Sequence, residues 1–229
     1  MTGESAAGAA ADPLVGIWPL FGLVLTTPRL VLTPVRDEHL PELIDAVLAG
    51  IHDPGEMPFS VPWTDAPREV LITETAKHQW RLRAGVSTDA WAINFAVLHD
   101  GRVIGVQDLT AHSFPLLRRV GSGSWLTRSA QGLGLGTEMR AAVLQFAFDH
   151  LGATSAVSEA AAWNGASLGV STRLGYALNG TTLVEARCGE VDVQQNLLLA
   201  REDFVRPGWV AGVQGVEAVL DLLIPGTPD

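Results

Sequence analysis

Apolar and polar residues alternate through "LVLTTPRLVLTPV" (23–35), the period of a half-buried strand, and Thr27-Pro28 divides the run into two short strands. The period then becomes helical. Leu40, Leu43, Ile44, Val47 and Leu48 fall at i, i+3, i+4, i+7 and i+8, with Asp37 as the expected cap and Gly50 as the stop. "IHDPGEMPFSVPWTDAP" (51–67) has four prolines and no period, which predicts a long loop, and long loops in compact domains are often functional. Pro67 opens a second helix reaching about Ala84. "AWAINFAVLHDGRVIGVQDLT" (90–110) reads as two strands about an Asp-Gly turn, and "RRVGSGSWLT" (118–127) as another, loosened by Gly121 and Gly123.

Beyond a glycine-dense loop, Met139, Val143, Phe146 and Ala147 mark a helix running to about His150. "TSAVSEAAAW" (154–163) is a strand, "NGASLGVSTRLGY" (164–176) a short helix ending at Gly175, and 176–201 a hairpin turning near Gly189. The stretch 209–224 is expected to form a last helix. Antiparallel hairpins followed by strand–helix–strand–helix–strand predict an α+β fold around one central sheet, with a βαβ-like unit holding the glycine loop.

A chain of 229 residues, 47% hydrophobic and 17% charged, suits one globular core. Its net charge of −10 argues against nucleic acid as a partner, because phosphate backbones demand a basic face. The one cysteine, Cys188, excludes an internal disulfide, points to a reducing compartment, and is expected to be buried as a small hydrophobe. "LVGIWPLFGLVL" (14–25) is too short and too broken to span a membrane. "MTGESAAGAAADP" lacks the basic region of a signal peptide and reads as a flexible leader, so the cytoplasm is expected and no membrane partner is. No metal is expected.

"SAQGLGLGTEMRAA" (129–142) places Gly132, Gly134 and Gly136 just before a helix. Glycine admits close backbone approach, and a helix start presents free N–H groups and a positive dipole end, so the stretch predicts an anion site, most often a phosphate. A P-loop would need G-x-x-x-x-G-K-S/T, but Thr137 and Glu138 follow Gly136. A dinucleotide fingerprint would need G-x-G-x-x-G, but the sixth position is Thr137 counted from Gly132 and Met139 counted from Gly134. "GASLG" (165–169) matches a hydrolase nucleophile elbow. There the base histidine follows the serine, whereas all six histidines (39, 52, 78, 99, 112, 150) precede Ser167.

What remains is Gln131-x-x-Gly134-x-Gly136. It resembles the Arg/Gln-x-x-Gly-x-Gly/Ala signature of the GCN5-related N-acetyltransferase (GNAT) superfamily. In the same order, "TTPRLVLTPVRDEHLPELIDAV", "GSGSWLTRSAQGLGLGTEM" and "NGASLGVSTRLGY" resemble the RimJ/RimL branch, so the likeness covers about residues 25 to 204. "GIHDPGEMPFSVPWTDAP" further resembles a subgroup of actinobacterial members, some assigned as acyltransferases that use succinyl-CoA. The resemblance implies a GNAT fold: a mixed sheet of about seven strands, splayed between the fourth and fifth and flanked by helices. The expected division is a leader at 1–22, an acyltransferase domain at 23–204, and an extension at 205–229 packed on the same domain.

It also implies an enzyme that moves an acetyl or succinyl group from coenzyme A to a primary amine by direct attack. A non-catalytic acyl-CoA-binding module is the alternative. The acceptor is a small amine or a protein N-terminus or lysine, and a homodimer is a family expectation. Trp125, Leu126 and Thr127 would line the pantetheine arm, with Leu126 and Thr127 offering main-chain groups, and Gln131, Gly132, Leu133, Gly134, Leu135, Gly136 and Thr137 the pyrophosphate. Asn164 aligns with an asparagine that contacts pantetheine and also suits a helix N-cap. Ser167 matches a serine that protonates the leaving thiolate, or simply starts a helix. Tyr176 is the alternative donor, or packs in the core. The strand at 118–127 carries no acid, so Asp108 stands as general base, with Glu159, His112, Asp53 or a water relay as substitutes. Asp53, Met57, Phe59 and Trp63 would wall the acceptor and acyl pocket, or form a satellite core. Arg118 and Arg119 face a succinyl carboxylate or, more plainly, solvent.

Overall fold

The computed structural model describes residues 12–224, and most of the expected leader, residues 1–11, lies outside them. Asp12 caps the short helix α1 (Pro13–Ile17), accepting from the Leu14 amide at 2.9 Å. A 3-10 turn at Pro19–Gly22 then carries Leu20 and Leu23 into the core. Proline at position 28 divides the alternating run into β1 (Val24–Thr26) and β2 (Leu30–Pro34), which pair antiparallel.

Helix α2 (Leu40–Leu48) buries Leu40, Leu43, Ala46 and Val47, but Asp37 does not cap it. A 3-10 turn at Asp37–His39 intervenes, and the Asp37 carboxylate accepts instead from Trp80 Nε1 at 3.1 Å and Arg83 Nη2 at 2.9 Å. Two tertiary donors displace a local cap. The 51–67 loop leads to α3 (Arg68–Ala84), and the Asp100-Gly101 turn folds β3 (Ala90–His99) onto β4 (Arg102–His112).

A short helix α4 (Phe114–Leu117), unforeseen by periodicity, buries Phe114 against Trp91. The strand expected at 118–127 is two pieces, β5 (Arg119–Gly121) and β6 (Ser124–Leu126), broken at Ser122-Gly123. The glycine loop opens α5 (Leu135–Gln145), which ends in one wider turn at Phe146–His150. Then come β7 (Ser155–Ala161), α6 (Gly165–Arg173), β8 (Ala177–Arg187) and β9 (Glu190–Ala200). The tail corrects the expectation of helix throughout: β10 (Gly212–Gln214) precedes α7 (Val216–Leu223). Three residues are too few to show a strand period.

The described strands form one ten-stranded mixed sheet, ordered β10-β1-β2-β3-β4-β5-β7-β9-β8, with β6 beside β5 on β4. The count exceeds the expected seven because two strands are divided and β10 adds an edge. Helix α5 lies on this sheet, and its Leu135, Met139, Val143 and Phe146 are buried among Leu32, Phe95 and Leu109. Each such side chain contributes about 1.5–3 kcal/mol on burial. Cys188 is exposed at the β8–β9 tip, not buried, because a two-residue turn leaves it no core to enter.

Candidate active site

Beyond Gly121 the sheet opens. β5 pairs parallel with β7 over Arg119–Gly121 and Ser155–Val157, and the Ser122 amide adds a bond to Val157 O at 3.0 Å. Past that point, among the described residues, β6 pairs only with β4, and β7 only with β9. Ladder alternation fixes which groups face the gap. The Asp108 amide bonds Gly123 O and the Thr127 amide bonds Ile104 O, so Gly123, Trp125 and Thr127 turn their main chain to β4. Ser124 and Leu126 turn theirs outward. On the other lip the Ala162 amide bonds Val193 O, which leaves Glu159 and Ala161 facing the gap. Unpaired strand edges are the groups to which an extended chain adds by main-chain hydrogen bonds.

This geometry corrects one expectation. Thr127 is buried, its amide is held by β4 and its carbonyl accepts from Ala130, so its main chain is closed to a ligand. Leu126 keeps its outward position, although its carbonyl accepts from Gln131 Nε2 at 2.8 Å. Gln131 also donates to Ile51 O at 2.6 Å, clamping the 51–67 loop to β6.

The loop itself is shaped for an anion. Gly132 and Gly134 take φ of 74° and 79°, values in which an L side chain is strained. Among the described residues, the amides of 132–137 have no acceptor. Leu133 and Gly134 are exposed and Leu135 is buried, so successive N–H groups line the mouth at the positive end of α5. Sequence reading missed the brace behind it. The Glu138 carboxylate accepts from Thr27 Oγ1 at 2.6 Å, the Arg29 amide at 2.9 Å and Arg29 Nε at 2.7 Å, while Arg29 Nη1 donates to Leu133 O at 3.0 Å. Burial pushes the Glu138 carboxyl up, but these donors outweigh it and hold the group below its ordinary value. The partners lie over a hundred residues apart in sequence, beyond any local signal.

At the apex of the gap, half-buried Asp108 accepts from the Gly123 amide, and Gln107 Nε2 donates to Gly123 O at 2.9 Å. A Cβ at Gly123 would stand 2.9 Å from Asp108 Oδ2, so a larger residue at the break between β5 and β6 would push the Asp108 carboxylate from its place. Burial raises the Asp108 carboxyl above the ordinary carboxylate value, against the Gly123 hydrogen bond and the positive charge of Arg140. Glu159, His112 and Asp53 are exposed, and Asp53 accepts from the Gly55 amide at 3.0 Å in a surface turn.

Asn164 caps α6, its Oδ1 accepting from the Ser167 amide at 3.1 Å. Ser167 is half-buried; Tyr176 is buried, with its hydroxyl 3.4 Å from Ser122 Oγ. Of the expected pocket wall, Met57 is buried and Phe59 and Trp63 are half-buried. His52, Phe59, Trp63 and Trp125 form a chain of rings with centroids 5.7, 5.3 and 6.2 Å apart, which joins the loop to β6. Arg187, from β8, ties down the same loop: Nε reaches Asp65 Oδ2 at 2.7 Å and Nη2 reaches Pro54 O at 2.9 Å. A cavity of about 320 Å³ lies under this loop, lined by His52, Thr64, Asp65 and Arg68 among others. Arg119 is exposed, and Arg118 lies over the Phe114 ring. No helix among the described residues is long and apolar enough to cross a membrane.

Solved structures that share this fold include three acetyltransferases. Mycobacterium smegmatis RimJ in complex with CoA-disulfide matches with a TM-score of 0.66 and 20% identity, over 89% of this chain and 94% of the other. RimL, a ribosomal L7/L12 alpha-N-protein acetyltransferase in complex with coenzyme A, matches at 0.61 and 19%, over 76% and 95%. A GCN5-related N-acetyltransferase from Brucella melitensis matches at 0.61 and 19%, over 79% of each chain. The family model of the acetyltransferase (GNAT) domain covers residues 29–177, more than half of the chain and the whole of the gap, loop and apex. The chain therefore belongs to the GNAT acetyltransferase family.

Proposed function

We propose that this chain transfers an acetyl group from acetyl-CoA to a primary amine by direct attack within the β6–β7 gap. The observation that carries the reading is the run of amides at 132–137 without an acceptor among the described residues, set at the start of α5 beside outward main-chain groups of Ser124, Leu126, Glu159 and Ala161. Bound there, acyl-CoA supplies an activated thioester. The loop amides hold its diphosphate, and the two lips hold its amide-bearing arm as an added strand.

Asp108 is the proton acceptor in this reading. Its burial keeps the carboxyl basic enough to take the proton from the amine as the new N–C bond forms. Ser167, one turn into α6, passes a proton to the sulfur as the C–S bond breaks, and Asn164 holds the Ser167 amide. The 51–67 loop, with Phe59, Trp63 and its tie to Arg187, roofs the acceptor side.

Release of free thiol from acetyl-CoA, measured against a panel of amines and a peptide N-terminus, tests the proposal. Amine-dependent release supports it, and succinyl-CoA run in parallel decides the acyl group. CoA binding without release on any amine would leave a binding module in its place.

A further inference from the structure

Arg140 is 3% exposed, yet no carboxylate lies within ion-pair distance of it among the described residues. Its guanidinium meets hydroxyls instead: Nη1 donates to Ser171 Oγ at 2.9 Å and Nη2 to Ser124 Oγ at 3.2 Å, while Nε has no acceptor. Asp108 and Tyr176 are the titratable groups near enough to act on it. A buried cation held only by neutral partners is strongly disfavoured by lost hydration, so stability alone does not account for it.

What the side chain joins is informative. Ser124 belongs to β6, one lip of the gap, whereas Ser171 belongs to α6, which follows the other lip. Ser171 Oγ also donates to Ser167 O at 3.2 Å. The Ser167 amide is fixed by Asn164, so both main-chain groups of Ser167 are held, one of them by a hydroxyl that Arg140 fixes.

We propose that Arg140 is a positioning residue, which through Ser171 sets the orientation of Ser167 for acyl transfer. The proposal rests on the functional reading above. Its guanidinium meets the Ser171 and Ser124 hydroxyls, neither of which is among the main-chain groups proposed to hold the donor. It should therefore leave donor binding alone and act on turnover.

The test pairs Arg140→Met and Arg140→Lys with two readouts. Hydrogen exchange at the amides of 165–168 examines positioning without any need for turnover; thiol release examines catalysis. In Arg140→Met, exchange at these amides should speed at least about tenfold while β3 and β4 stay protected. Its kcat should fall about a hundredfold, the scale set by an ångström of misplacement, with KM for acetyl-CoA within about threefold. Arg140→Lys should recover about tenfold of the lost kcat by keeping a donor and the charge. Unchanged exchange, unchanged kcat, or a rise in KM alone would overturn the proposal. If Arg140→Met does not fold, Ser171→Ala, which cuts the same tie, must show the same exchange and kcat changes. A wild-type chain without turnover would sink the functional reading, and the exchange data would still judge Arg140.

Discussion

At the residue scale, two carboxylates are driven in opposite directions by their surroundings. Burial raises Asp108, so the folded chain binds its proton more tightly than the unfolded chain does, and stability falls as pH climbs from the ordinary value of 3.8 through the raised one. As the proposed base, the same group places the acidic limb of the kcat/KM profile above the usual carboxylate range. Asp108→Asn should remove that limb and lower kcat by about 10²–10⁴, measured as thiol release across pH. Full activity in the variant would assign the base elsewhere. Glu138 has the contrary sign. Thr27 and Arg29 hold it below its ordinary value of 4.5, so its contribution is complete above that pH and is lost as pH falls through the folded value. Glu138→Gln should cost about 1–2 kcal/mol at neutral pH by denaturant unfolding, a figure kept low because Arg29 is 46% exposed. It should also loosen the loop and weaken CoA. The spacing of Gln131, Gly134 and Gly136 was legible because a motif is a local signal. Arg29, Arg140 and Arg187 were not, because each acts on a partner far along the chain.

At the scale of elements, the site is made by a strand that breaks. The ladder to β7 ends with β5 and is not continued by β6, and the resulting lips leave main-chain groups of both strands outside any ladder among the described residues. Alternation and turn chemistry revealed the hairpin at Asp100-Gly101 and the β8–β9 pair, since those signals are local. The failure at Asp37 has the reverse cause: Trp80 and Arg83 draw its carboxylate away from the helix start. The β8–β9 tip and the 51–67 loop are separate in sequence and meet through Arg187 and Asp65. Arg187 is half-buried and Asp65 largely exposed, so the ion pair contributes little and Arg187→Ala should lower the melting temperature only slightly. We expect it instead to raise KM for the amine about threefold or more while KM for acetyl-CoA holds, because a loosened roof costs acceptor ordering. An equal rise in both constants would place this latch at the donor site.

At the scale of the whole molecule, the sheet is connected from β10 to β8, joined across its opening by the short β5–β7 ladder. Val219 and Leu223 of α7 lie in the same core as β1 to β4, so residues 205–224 should melt with the rest as one unit. Leu223→Ala should lower the unfolding free energy by about 2–5 kcal/mol in a single transition, whereas a separate early transition would mark an independent extension. The central claim is that the loop at 132–137 holds the diphosphate of coenzyme A. Isothermal titration with coenzyme A, and with pantetheine, which lacks the diphosphate, tests it most directly. The account predicts saturable one-to-one binding of coenzyme A, weakened at least about tenfold by Gly134→Val, whose φ would be strained. Pantetheine should bind far more weakly to both proteins. Equal binding of the two ligands, or no loss in the valine variant, would contradict it.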